Sequence, residues 1–402
     1  TTALFIFLIL GFSGTIARSL AYGENPEYII YLGIIVALDA FASIPFARIR
    51  LDNRPVKYTI IRIVEVSVTI LANWFFLYFC PRNYQDYEIL NFVYDPNIGV
   101  CYVLISNLIA SSVKTILLFK EIVGLKGKFD MNLLKIILTY SLPLLIAGLA
   151  GTINEAIDRV LLKHLIPDSQ GPLQQLGIYG ASYKLAVLMT LFIQMFRYAA
   201  EPFFFSKKDE KNAKDIYAQV MRYFVFAGMI IFLAVTLYID IFKLFIGPKF
   251  REGIAIVPVI LMANLFMGIF YNLSVWYKLK NLTKYGAYLV ATGAVITFLI
   301  NYFFIPEYGY YASAWGHFIS YLVMIILSYL LGRRIYRINY NIKELLFWII
   351  LGIGIFMIFN FSQIGNKILE YSLKTLILFF LFGAFYFIEK RRIKKHESKN
   401  SK

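Results

Sequence analysis

The chain has 402 residues, of which 59% belong to the hydrophobic set and only 16% are charged, against roughly 45–50% and about 25% in soluble domains. So little charge cannot cover several soluble surfaces, which excludes a soluble enzyme and a disordered chain alike. Two cysteines and three histidines allow neither a disulfide scaffold nor a His-rich metal site, and no metal or cofactor is expected.

A helix crossing the hydrocarbon core needs about 20 mostly apolar residues, and about twelve such stretches follow one another here. In the first half they run Leu4 to Leu20, Tyr28 to Phe46, Tyr58 to Phe79, Val100 to Phe119, Leu133 to Ile153 and Ile178 to Ala199. The second half adds Tyr217 to Tyr238, Ile254 to Tyr277, Gly286 to Phe304, Ala312 to Leu331, Leu345 to Phe361 and Ile368 to Ile388. Runs of this length without apolar/polar alternation predict an all-α polytopic membrane protein and argue against a barrel.

Short cytoplasmic turns retain Lys and Arg, and the chain's bases alternate from turn to turn. One side collects Arg48, Arg50, Arg54 and Lys57; Lys114, Lys120, Lys126 and Lys128; Lys207, Lys208 and Lys211; Lys278, Lys280 and Lys284; Arg333, Arg334 and Arg337; and the tail from Lys390 onward. The other side is poorer in bases and carries Asp86, Glu88 and Asp95. Both chain ends are therefore expected in the cytoplasm. The net charge of +16 reads as a topology signal and an attraction to anionic headgroups of membrane lipids. Bases scattered over many turns do not make one groove, so nucleic acid is not an expected partner. The longest outer turn, 152–177, holds Pro167, Asp168, Gly171 and Pro172, a link between helices with no room for a catalytic domain.

Ionisable groups within a span cost about 2.5 kcal/mol or more at mid-bilayer and face protein or water. Asp39 lies near the middle of the second span and is too short to snorkel; it reads as an ion-coupling group in a cavity or as a helix–helix hydrogen bond. Arg18 and Arg197 either line a cavity or snorkel to opposite headgroup regions. Lys184, after Tyr179, Gly180 and Tyr183, has the same two readings. Glu155, Asp158 and Arg159 continue the fifth span outward, as a salt-bridged rim or an ion site. Arg62 and Glu65, at i and i+3, read as a local helix pair. Pro143, with Gly148 and Gly151 beyond it, marks a hinge or a static kink. Tyr22, Tyr28, Tyr31, Tyr308, Tyr310 and Tyr311 read as an interfacial aromatic belt, with sugar stacking as the other option.

Two basic hairpins, LDNRPVKYTII after span two and LKNLTKYGAY after span eight, match in position and sidedness and point to two helical bundles. The segments RIRLDNRPVKYTIIRIVEV, YSLPLLIAGLAGTINEAIDRVLL, LGIYGASYKLAVLMTLFIQMFRYAAEPFFF and NYFFIPEYGYYASAWGHFISY carry a resemblance to a known family. The chain resembles the polysaccharide transporter branch (O-antigen flippases, Wzx-type) of the multidrug/oligosaccharidyl-lipid/polysaccharide exporter superfamily along essentially its whole length. The resemblance implies a fourteen-helix fold of two bundles around a central cavity, here lacking the first two helices, with Leu4 opening helix three. It implies residues 1–129 as the remainder of the N-terminal bundle, 130–338 as the C-terminal bundle, and 339–402 as two extra helices with a basic tail.

The implied activity is flipping of an undecaprenyl-pyrophosphate-linked oligosaccharide to the outer leaflet of a bacterial inner membrane, by alternating access and without catalysis. Polysaccharide polymerase and chain-length machinery are the protein partners expected with it. Arg18, Lys184 and Arg197 are the expected anion contacts, Asp39, Glu155 and Asp158 the ion-coupling candidates, and Pro143 the hinge. The alternatives are cation-coupled drug export, for which Asp39 and Glu65 would serve but the three cations would not, and a membrane glycosyltransferase or polymerase, which would need a larger outer loop or a clustered acid/base set.

Overall fold

A computed structural model describes residues 2–20, 25–52, 54–121, 130–362 and 365–400. The side chains at 50, 88–89, 140, 142–144, 146–151, 153–155 and 393–400 lie outside that description. The described chain is helices and connecting turns without a strand, as the long unalternating apolar runs predict. It divides into two compact units, Thr1–Met131 and Asn132–Lys402.

The first unit holds α1 (Thr2–Ser19), α2 (Pro26–Leu51), α3 (Pro55–Asn83) and α4 (Tyr102–Leu118). Proline opens α3, where its missing N–H costs nothing and its fixed φ favours the first turn. A π-helical turn, Phe75–Phe79, interrupts α3 near its far end. There Phe76 stacks on Tyr102 at 4.7 Å, and Tyr102 on Tyr94 at 5.1 Å. Helix α4 packs against both α2 and α3, while α1 packs on α2. Only Ser13 and Ala17 of α1 are buried, and Phe7 is 74% exposed. An apolar helix so open to its surroundings fits a bilayer and not water.

The second unit runs α5 (Met131–Leu165), α6 (Pro172–Leu185), α7 (Val187–Ser206), α8 (Ala213–Leu237), α9 (Val257–Leu273), α10 (Thr283–Tyr308), α11 (Tyr310–Ile335), α12 (Ile342–Phe361) and α13 (Lys367–Asn400). Helix α9 is buried on nearly every side, from Ile260 through Leu265 and again at Gly268 to Phe270. It is the core helix of this unit, as expected of a helix that is hydrophobic all round. Gly268 sets its approach to α8: a Cβ there would lie 2.2 Å from Cζ of Phe224, and the Phe192 and Phe196 rings flank Phe224 at 5.1 and 4.5 Å. Helices α10 and α11 turn on Gly309, whose φ of 53° favours glycine. Helices α12 and α13 join α8 through Phe226, stacked on Phe385 at 3.9 Å with the Trp348 ring edge-on at 5.0 Å. Arg392 ties the two together by donating to Glu344 and Glu389, each at 2.7 Å.

Among the described residues ten helices are long and apolar enough to cross a membrane, and the bent pair α6/α7 makes an eleventh. The remaining expected span, Leu133 to Ile153, lies on α5, many of whose side chains are outside the description. The expected single span from Ile178 to Ala199 is corrected to two helices meeting at 54°. The break is at Ala186, whose N–H donates to the carbonyl of Tyr183 three residues back instead of four. No proline marks this break in the sequence, so periodicity could not show it.

Candidate functional site

Among the described residues each unit contains a cluster of ionisable groups that joins helices within their spans. In the first, Asp39 on α2, Glu65 on α3 and Lys114 on α4 converge. Lys114 is 2% exposed, and its Nζ donates to Asp39 Oδ1 at 2.6 Å and to Glu65 Oε1 at 2.5 Å. Ser111, one turn earlier on α4, donates to the same Asp39 oxygen at 2.8 Å. Arg62 holds the other Glu65 oxygen at 2.8 Å, the local pair expected from their spacing, and lies 4.5 Å over the Phe46 ring. Two carboxylates thus face two cations across three helices, which removes the cost of an isolated buried charge. A cavity of about 150 Å³ beside them is lined by Asp39, Ser43, Phe46, Tyr58, Arg62 and Lys114.

The second cluster lies in the second unit. Asp158 of α5 is fully buried, and its carboxylate accepts from three directions. Tyr179 of α6 donates its hydroxyl to Oδ2, His317 of α11 reaches the same oxygen through Nε2 at 3.1 Å, and the Arg159 N–H donates to Oδ1 at 2.8 Å. An ionised carboxylate only accepts, so the His317 proton in this bond sits on Nε2. The other ring nitrogen, Nδ1, is buried without a protein partner. Around His317 the Tyr321 ring stacks at 5.6 Å and the Tyr183 ring sits edge-on at 6.4 Å. The Arg159 guanidinium lies 5.0 Å over Tyr183.

These groups border a cavity of about 230 Å³ lined by Arg159, Arg197, Tyr183, Asn264, Tyr271 and His317, among others. Among the described residues its lining contains two arginines and no carboxylate. The Arg197 guanidinium lies 4.0 Å over the Tyr271 ring, an arrangement that fixes it at the wall. Asn264, nearly buried, donates to Thr190 at 3.4 Å. Guanidinium groups in a mostly apolar helix bundle can bind phosphate oxygens bidentately, the chemistry an anionic cargo would call for. Tyrosine rings and an amide beside them supply the stacking faces and polar atoms that sugars use.

The structure brings Arg197 and Asp158 to this one region and sets Asp39 in the other cluster. Arg18 is exposed on α1, its Nε donating to the Gly14 carbonyl at 3.2 Å. Lys184 is exposed near the C-terminus of α6 and is not among the residues lining the 230 Å³ cavity. The side chains of Glu155 and Pro143 lie outside the described residues; the backbone of both is helical within α5. Three residues of the clusters escaped sequence reasoning. Lys114, grouped there with the loop cations, is corrected to a buried helical residue. Tyr179 and His317 went unweighed as partners of Asp158. Among the described residues no three His, Cys, Asp or Glu side chains are placed to share a metal ion.

Neither a family model nor a curated protein matches the sequence. The fold does match solved structures. A structure described as lipid II flippase MurJ in an inward closed conformation superposes with a TM-score of 0.62 at 14% identity, covering 98% of this chain and 84% of that one. An inward-facing multidrug resistance MATE family transporter of the MOP superfamily gives 0.60 at 13% identity, covering 83% of this chain and 77% of that one. The chain therefore has the helical fold of MOP-type transporters, the architecture expected from its sequence. At such identities the likeness speaks to fold and leaves substrate to the site.

Proposed function

We propose that the chain is a flippase that carries a lipid-linked oligosaccharide with an anionic pyrophosphate headgroup across a bacterial inner membrane. The observation that carries this reading is the second-unit cavity, with Arg159 and Arg197 in its wall, tyrosine rings beside them and no carboxylate among the described residues that line it. The fold shared with a lipid II flippase supports it. So does the acidic group beside the cavity, since Asp158 is fully buried and holds Tyr179 and His317. A drug exporter for organic cations would need such carboxylates open to its cargo. Within this proposal the repeat unit of a surface polysaccharide, such as O-antigen, is the cargo, and both chain ends are cytoplasmic. Residues 1–129 and 130–338 serve as the two bundles of an alternating-access cycle, and the polymerase and chain-length machinery receive the product.

The test is reconstitution. Purified protein in liposomes containing a fluorescent polyprenyl-pyrophosphate oligosaccharide should move label across the bilayer, read by protection from an impermeant quencher. A charge-assisted hydrogen bond is worth about 1.5–3 kcal/mol, so Arg159→Ala and Arg197→Ala should each slow transfer about tenfold or more. Transfer no faster than in protein-free liposomes, or transport of a lipophilic cation in its place, would overturn the proposal.

A further inference from the structure

We propose that a pocket at the base-rich end of the groove between α7 and α9 is an entry station for the anionic headgroup, in which Lys278 takes the pyrophosphate in exchange for Glu201 and passes it to Arg197. This deepens the flippase reading and rests on it. The pocket lies between α7 and the short helical turn Val275–Leu279 that continues α9. Arg197 and Tyr271 line it and also line the 230 Å³ cavity, so their contact at 4.0 Å is a wall common to two chambers of one groove. One turn further along α7, Glu201 accepts from Lys278 at 2.9 Å, and both side chains line the pocket.

As it stands the pocket has a volume of about 30 Å³, room for about one water and not for a headgroup. What shuts it is weak. The Lys278 and Glu201 side chains are 32% and 52% exposed, and an ion pair so open to solvent contributes little; the wall at Arg197 is a cation–π contact. Among the described residues the lining carries two cations, Arg197 and Lys278, against one carboxylate, Glu201, and no ion pair engages Arg197. The balance is positive, which suits an anion and not an organic cation. Lysine is a compact, well-hydrated point charge fitted to capture in water, whereas the planar arginine fork grips phosphate oxygens bidentately. The order Lys278, then Arg197, therefore runs from looser to firmer hold on the way to the larger cavity. Glu201, once displaced, turns to the solvent to which half of it is already open. No covalent bond forms or breaks. Lys278 stands with Lys280 and Lys284 at the end that the flippase reading assigns to the cytoplasm, where the cargo is loaded.

The experiment is photo-crosslinking on the full chain in nanodiscs, with benzoylphenylalanine in place of Phe205 in the pocket or of Gln194 in the larger cavity. The probes are labelled UDP-glucose and a labelled polyprenyl-pyrophosphate disaccharide, which share the pyrophosphate diester. Both positions should be labelled, by the lipid form at the lower concentration. Lys278→Gln should lower attachment at both positions about tenfold, the loss of one charge-assisted hydrogen bond, and Lys278→Arg, which keeps the cation, should restore it. Glu201→Gln should act with the opposite sign and raise attachment at position 205, because the headgroup no longer has a carboxylate to displace. Arg197→Gln should keep attachment at 205 and abolish it at 194. A pair that only braces the two helices would give Lys278→Gln and Glu201→Gln effects of the same sign. That outcome, or attachment at 194 undiminished in Lys278→Gln, overturns the entry station and leaves the flippase reading standing. Preference for UDP-glucose over the lipid form, or no attachment at either position, overturns the two together.

Discussion

Lys114→Met is expected to destabilise the first unit by about 3 kcal/mol, because it leaves Asp39 and Glu65 without the cation that joins them. Breaking a buried pair by removing one partner costs about 3–5 kcal/mol; the lower end applies because the Asp39 side chain is 49% exposed and can hydrate. Methionine fills much of the lysine's volume, so the loss reports charge and not a hole. Neutralising the acids as well, in Asp39→Asn/Glu65→Gln/Lys114→Met, should recover most of the stability, since no buried charge then remains unmatched. The thermal unfolding midpoint in detergent reads both variants. A single variant as stable as the wild type, or a triple variant no better than the single, would show that the three groups do not act as a unit.

Asp158→Ala should be as damaging to the second unit and should stop translocation. The carboxylate answers three donors from three directions: a tyrosine hydroxyl on α6, an imidazole on α11 and a backbone N–H of its own helix. Each buried donor left unmatched costs about 1–3 kcal/mol, so the loss over three donors should be at least about 3 kcal/mol. Asp158→Asn keeps one accepting oxygen in the same volume and should cost less than alanine. Translocation should fall in both variants, even where the asparagine variant folds, because the orientation of His317 is no longer imposed. An alanine variant with wild-type midpoint and transfer rate would remove Asp158 from any structural or functional role.

Much of the architecture was legible because bilayer helices are long, apolar and separated by bases. The bend at Ala186 was not, since it coincides with 3₁₀-type pairing to Tyr183 and carries no proline or glycine. Asp158 stood out in sequence as an acid near the end of a span, but its partners lie 21 and 159 residues further on. Periodicity relates neighbours on one helix and is silent about such pairs. Lys114 was readable in principle. It falls five residues inside the predicted span Val100 to Phe119, next to Ser111 and Ser112, and a lysine at that depth needs a partner or a path to headgroups. Two acids at comparable depth, Asp39 and Glu65, were available to meet it. Counting it with the turn cations concealed an ion network that charge balance would have exposed.

A flippase of this kind must hold an anionic, sugar-bearing headgroup in the cavity between Arg159 and Arg197. Photo-crosslinking addresses that directly: benzoylphenylalanine in place of Gln194, which lines the cavity, is compared with the same residue in place of Leu191, exposed on the same helix. The expected result is ultraviolet-dependent attachment of a labelled polyprenyl-pyrophosphate oligosaccharide at position 194, through the sugar next to the pyrophosphate and suppressed by excess UDP-glucose. Attachment only at position 191, or attachment at 194 that excess pyrophosphate diester leaves unchanged, would contradict it.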